Sequence, residues 1–214
     1  MSKIDEIFMR KHIAILFFAI TSIFFPTATN AQFRYAPVAG ITVNNLVFKQ
    51  DLVPVWQQVG YTGGIQGELM FPGIGLGIDL GLMYNQQGAK VGLGEKVVWS
   101  SQGYGDERVY IHSLLIPVHL RFKYTRLNGL EEIVAPFVYG GPDFNIQLAH
   151  GKCEAFEYSG GDLGLTAGIG AELFQRWQLT ASYTWGMTYV LQTKLLDSFT
   201  ARSRQWTVRL AYFF

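Results

Sequence analysis

From Trp177 to Tyr189 the chain reads WQLTASYTWGMTY, with apolar or aromatic side chains at the odd positions and small or polar ones at the even positions. A period of two predicts a β-strand, and the stretch is far longer than the roughly five or six residues usual for a soluble strand. Comparable alternation recurs at 36–48, 60–71, 75–87, 108–124, 133–149, 161–174, 177–190 and 203–214, which makes eight segments. Their lengths suit the roughly 9–11 residues of a tilted strand crossing a bilayer, and single-chain bacterial barrels use even strand numbers. The connections alternate as well. Those near 49–59, 88–107, 150–160 and 191–202 are long, whereas FPGIG (71–75), TRLNGLEE (125–132) and FQRW (174–177) are short. With a periplasmic N-terminus, every long connection falls outside the cell. The expected fold is all-β, an eight-stranded antiparallel up-and-down transmembrane β-barrel.

A soluble lipocalin-type barrel would also alternate, but with its apolar face turned inward around a ligand. Side-chain volume separates the two readings. The apolar set near the C-terminus is bulky (Trp206, Val208, Leu210, Tyr212, Phe214), and the opposite set at 164–170 is small (Gly164, Thr166, Gly168, Gly170). A narrow barrel accommodates the small set inside, so the rings are expected to face lipid. Phe71, Phe122, Tyr124, Phe174, Trp177, Tyr212 and Phe214 would form a periplasmic aromatic girdle, with Tyr61, Tyr84, Tyr110, Trp185, Tyr189 and Trp206 nearer the outside.

Composition adds a second line of argument. Only 15% of residues are charged, little for a soluble surface, and the net charge of +1 argues against nucleic acid as a partner. At the N-terminus Lys3, Arg10, Lys11 and His12 precede an apolar run from Ile13 to Phe25, followed by PTATNA. This is the pattern of a secretory signal, and the run is too short for the roughly 30 Å of a bilayer core. Residues 1–31 are expected to be a cleaved signal peptide and 32–214 the barrel domain, in the bacterial outer membrane. The lone cysteine, Cys153, has no intramolecular disulfide partner.

Strand parity places Glu68, Asp79, His119, Arg121, Asp143, Glu172 and Arg209 on the lumen side. All but Asp143 lie near periplasmic strand ends, so Glu68, Asp79, His119, Arg121, Glu172 and Arg209 are expected to form one charge cluster in the lower lumen. An eight-stranded barrel has room inside for side chains but not for an open pore. Paired charges of both signs would therefore plug it, the alternative being a gated path for ions or small solutes. Asp143, Asn145 and Gln147 are candidates for an external vestibule.

No catalytic, cofactor or metal site is expected. His112 and Ser113 are adjacent on a strand and point to opposite faces, and the histidines lack metal-ligand spacing. A lipid-modifying enzyme is the rival reading. The segment 91–109 is expected either to extend two strands outward as a hairpin with an unpaired edge, suited to docking a partner, or to form a solvated loop.

The segments GITVNNL (40–46), GLMYNQQGAK (81–90), YIHSLLIPVHLRFKY (110–124), FVYGGPDFNIQL (137–148), DLGLTAGIGAEL (162–173), LTASYTWGM (179–187) and AYFF (211–214) resemble, in order, the outer-membrane β-barrel domain family of Bacteroidota that includes the PorT-like proteins. The resemblance implies insertion by the barrel-assembly machinery, which would read Phe214 as an assembly signal. The chain is expected to be a monomer surrounded by outer-membrane lipid with a structural or interaction role, and the PorT-like resemblance points to secretion-system components as partners.

Overall fold

A computed structural model of the chain describes residues 32–50, 52–71, 75–95, 97–101, 103–124, 132–151, 156–193 and 199–214. The expected signal peptide, Cys153 and most of the FPGIG and TRLNGLEE turns lie outside them. The alternating segments form β1 (Gln32–Phe48), β3 (Gln58–Met70), β4 (Leu76–Gly92), β5 (Asp106–Lys123), β6 (Val134–His150), β8 (Gly161–Leu173), β9 (Trp177–Gly186) and β11 (Thr200–Tyr212). Three short strands, β2 (Val55–Trp56), β7 (Phe156–Tyr158) and β10 (Leu191–Thr193), lie in the long connections.

Among the described residues the eight long strands pair antiparallel in the order β1-β3-β4-β5-β6-β8-β9-β11, and β1 pairs with β11 from Val38↔Ala211 to Phe48↔Ala201. The sheet is therefore a closed, up-and-down barrel. Closure matters physically, because a free strand edge in hydrocarbon would leave backbone groups that lipid cannot satisfy.

The two faces of the wall have opposite chemistry. Along β11, Ser203, Gln205, Thr207 and Arg209 are buried while Trp206, Val208 and Leu210 are exposed. The same parity leaves Ile65, Leu120 and Ile169 each more than 60% exposed on the outside. A soluble barrel would reverse this arrangement. Replacing Ile65, halfway along β3, by arginine should cost roughly 2–4 kcal/mol of stability in vesicles, measured by denaturant unfolding. The same change at the exposed extracellular residue Val97 should cost far less.

Not every ring faces outward. Phe137 and Tyr139 on β6 are buried in the lumen, and glycines on β8 make room for them. A Cβ at Gly168 would lie 2.6 Å from the Tyr139 ring, and one at Gly170 would collide with Phe137. Small residues in the strand thus hold aromatic rings beside them instead of leaving space.

The extracellular connections depart from expectation. The 91–109 segment is in part the expected hairpin, since β4 and β5 stay paired out to Gly92↔Asp106, beyond the last β5–β6 pair at Ile111↔His150, but the β4 edge is covered and the tip is folded in. Strand β4 continues to Gly92, and β2 pairs with it at Val55↔Val91 and Trp56↔Lys90. The chain then turns through a 3-10 segment (Leu93–Glu95) and one helical turn (Val97–Ser100). These turns carry Leu93 and Trp99 into a core with Val109, Ile111 and Phe199. The apolar side chains of this segment are too numerous to stay hydrated, so they fold over the barrel mouth. Strand β9 is likewise shorter than the alternation suggests. It ends at Gly186, because Met187 and Thr188 donate backbone hydrogen bonds to the Leu163 carbonyl and turn the chain aside. Strand β10 then takes over beside β11, with β7 on its other edge.

Candidate functional site: the lumen

Register builds the lower lumen. Glu68 on β3 stands opposite Asp79 on β4, and Asp79 stands opposite His119 on β5. Two buried acids face to face require a cation, and Arg121, one step further along the same face of β5, supplies it. Its Nη1 reaches Glu68 at 2.6 Å, while Nη2 and Nε reach Asp79 at 2.7 and 2.9 Å. The Arg121 guanidinium also lies 4.0 Å over the Phe137 ring, which Gly170 accommodates. Such stacking suits the planar, weakly hydrated guanidinium better than an ammonium.

A second arginine extends the network. Arg34 Nη2 binds Glu68 at 2.7 Å and Glu172 at 2.6 Å, and its Nη1 donates to the Gln175 carbonyl at 2.9 Å. That carbonyl belongs to the tight β8–β9 turn, where Phe174 and Gln175 both adopt positive φ. Lys123 donates to Glu172 at 2.6 Å, and Gln178 Nε2 bridges Glu68 and Glu172 at 2.7 and 2.9 Å. Three acids and three bases thereby neutralise one another at the base of the lumen. Arg121 and Glu68 are 1% and 0% exposed, far from the screening that makes surface pairs weak.

The middle and upper lumen hold smaller groups. His119 Nε2 meets Asp143 Oδ1 at 2.8 Å, and Thr166 donates a short hydrogen bond to the other Asp143 oxygen. Arg209 acts electrostatically on Asp143, but its Nε has no hydrogen-bond partner among the described residues. Above them Asn85 and Gln205 exchange reciprocal amide bonds, and Asn145 donates to Asp162 at 3.1 Å. The apolar cap of Leu93, Trp99, Phe156, Leu191 and Phe199 covers this polar section.

Of the six residues expected in one cluster, the structure brings Glu68, Asp79, Arg121 and Glu172 together. His119 pairs higher up with Asp143, and Arg209 stands outside the network. Of the three vestibule candidates, Asp143 is enclosed at 2% exposure, while Asn145, 5% exposed, borders a cleft in the barrel wall and Gln147 a separate surface depression. Arg34, Lys123, Gln178 and Asp162 were missed, although parity carried to the strand ends puts each on the lumen face. Phe214 is 68% exposed, with its ring 5.6 Å from Tyr35 and 5.2 Å from Tyr212.

The other two described histidines are engaged elsewhere. His112 Nδ1 is 2.6 Å from the Tyr84 hydroxyl, and His150 stacks on Tyr158 at 4.0 Å. Among the described residues no group of three or more His, Cys, Asp or Glu could hold a metal ion.

An apolar exterior, a closed ladder and a charged, filled interior define a transmembrane β-barrel of the bacterial outer membrane. The sequence matches the family described as outer membrane protein beta-barrel domain over residues 27–192, and the chain belongs to that family. Among curated proteins none matches it. Solved structures similar to it include OprG from Pseudomonas aeruginosa, 11% identical with a TM-score of 0.49, covering 85% of this chain and 94% of that one. Neisserial surface protein A is 11% identical with a TM-score of 0.47, covering 84% and 97%. Ail of Yersinia pestis is 12% identical with a TM-score of 0.44, covering 86% and 99%.

Proposed function

We propose that the protein is a closed, monomeric barrel with a structural or interaction role, acting at the membrane as an accessory to protein secretion in the manner of the PorT-like proteins it resembles. The observation supporting a closed barrel is the double obstruction of the lumen. The Arg34, Arg121 and Lys123 ion pairs fill its base, and the Trp99 and Phe199 cap fills its mouth. A solute would have to desolvate paired charges at one end and displace packed rings at the other. On this reading residues 1–31 are removed on export, the barrel-assembly machinery reads Phe214, and the protein performs no catalysis.

Two experiments test the reading. Purified barrel in planar bilayers should give no conductance steps, and regular steps would favour the narrow channel instead. Deletion in the native host should lower secretion of exported proteins, and tagged barrel should co-purify secretion components. Undiminished secretion would remove the export role while leaving the closed barrel intact.

A further inference from the structure

The barrel wall has a side cleft near its extracellular end. The ladder of β6 with β8 runs to Ile146↔Gly161, with one further backbone bond from Gln147 to the Gly160 carbonyl, and above that level, among the described residues, β7 and β10 pair with each other and not with β6. The interruption opens a cleft of about 1010 Å³. That is at the upper end of the roughly 300–1,000 Å³ typical of small-molecule sites.

Its two ends differ in chemistry. The outer part is lined by Ile116, Val118, Phe144 and Ile146, side chains on the lipid-facing side of β5 and β6, so it is continuous with the surface that meets acyl chains. At the inner end Asp162 and Asn145 belong to the lumen face, and Glu157 and Gln192 stand on β7 and β10 above. Asp162 is held by a hydrogen bond from Asn145, which fixes its carboxylate at the breach in the ladder. The described lining residues include two acids and no lysine, arginine or histidine.

We propose that this cleft binds an amphiphile with a single apolar chain and an ammonium head. The chain lies along Ile116, Val118, Phe144 and Ile146, which otherwise contact bulk lipid, so entry from the membrane costs no hydration of the tail. The head lies between Asp162 and Glu157, where the acids complement its charge and repel phosphate or carboxylate heads. An annular lipid would need only the outer wall. The inward acid at the end of an outward-facing groove is the feature that selects a head group.

The test uses the full-length barrel, purified in dodecyl maltoside and examined by native mass spectrometry with dodecylammonium, dodecyl phosphate and dodecanol at equal concentration. Dodecylammonium should be retained at one molecule per barrel in clear preference to the other two. Changing Asp162→Asn together with Glu157→Gln should weaken that preference by roughly tenfold or more, and Gln192→Trp, which fills the cleft, should reduce retention. Equal retention of all three probes, no retention of any, or an unaltered preference in the double variant would overturn the proposal. Each variant is checked for the heat-dependent gel shift of a folded barrel. Should Asp162→Asn fail it, the exposed positions Glu157→Gln and Gln192→Trp decide alone.

Discussion

Arg121→Met is expected to destabilise the barrel by about 3–5 kcal/mol, the usual cost of removing one partner from a buried ion pair. Arg121 makes three charged contacts with Glu68 and Asp79, and both acids are nearly inaccessible. Methionine fills similar volume but leaves Asp79 with no direct cation and Glu68 dependent on Arg34 and Gln178. Unfolding by urea in lipid vesicles, followed by tryptophan fluorescence, should show the loss. Arg121→Lys should lie between, because one ammonium does not reproduce the fork that spans two carboxylates. The decisive comparison is the double variant Arg121→Met, Asp79→Asn, which removes one charge of each sign and leaves Arg34 and Lys123 against Glu68 and Glu172. With no charge left unpaired, most of the lost stability should return. A double variant as unstable as the single one would mean that Arg121 acts mainly through packing on Phe137.

The wall of the barrel was legible from sequence because the environment enforces it. In lipid the period-two pattern is compulsory for every strand, and a register slip of one residue would put Arg209 in hydrocarbon and Trp206 in the lumen. Lumen-facing charges follow from the same parity. Their pairing does not, because it depends on how the ladder is sheared around the barrel. Asp79 stands level with His119, yet its ion pair is with Arg121, and His119 reaches across to Asp143 on the next strand. Arg34 escaped notice because Ala36, Pro37, Val38 and Ala39 are all small or apolar, which hides the alternation there, and the strand was expected to begin at 36. The end of β9 was overestimated for a different reason. Met187 and Tyr189 remain exposed after the ladder has ended, so the side-chain pattern outlasts the hydrogen bonds that define the strand. The wall cleft was invisible, since it arises where two ladders part and no local pattern records that.

The cap should respond to mutation independently of the wall. Trp99 is 1% exposed and its ring lies 5.8 Å from that of Phe199, which stacks in turn on Phe48 at 4.6 Å. Trp99→Ala should cost about 3–5 kcal/mol of packing. The turn and loop backbone bonds described for the segment 93–105, from Leu93 and Gly94 to Gly105 and from Tyr104 to Trp99 among them, stay within it. The loss should therefore appear as local opening of the cap, because regions with few contacts unfold separately from a cooperative ladder. Amide exchange and limited proteolysis within 93–105 should accelerate by roughly two to four orders of magnitude, at 1.4 kcal/mol per tenfold. The heat-dependent gel shift should be unchanged. Conductance should stay absent as well, because the Arg121 network closes the other end of the lumen and two obstructions in series require both to be removed. Current through Trp99→Ala alone would place the only effective barrier at the mouth and reassign the charged base to a path that ions can cross.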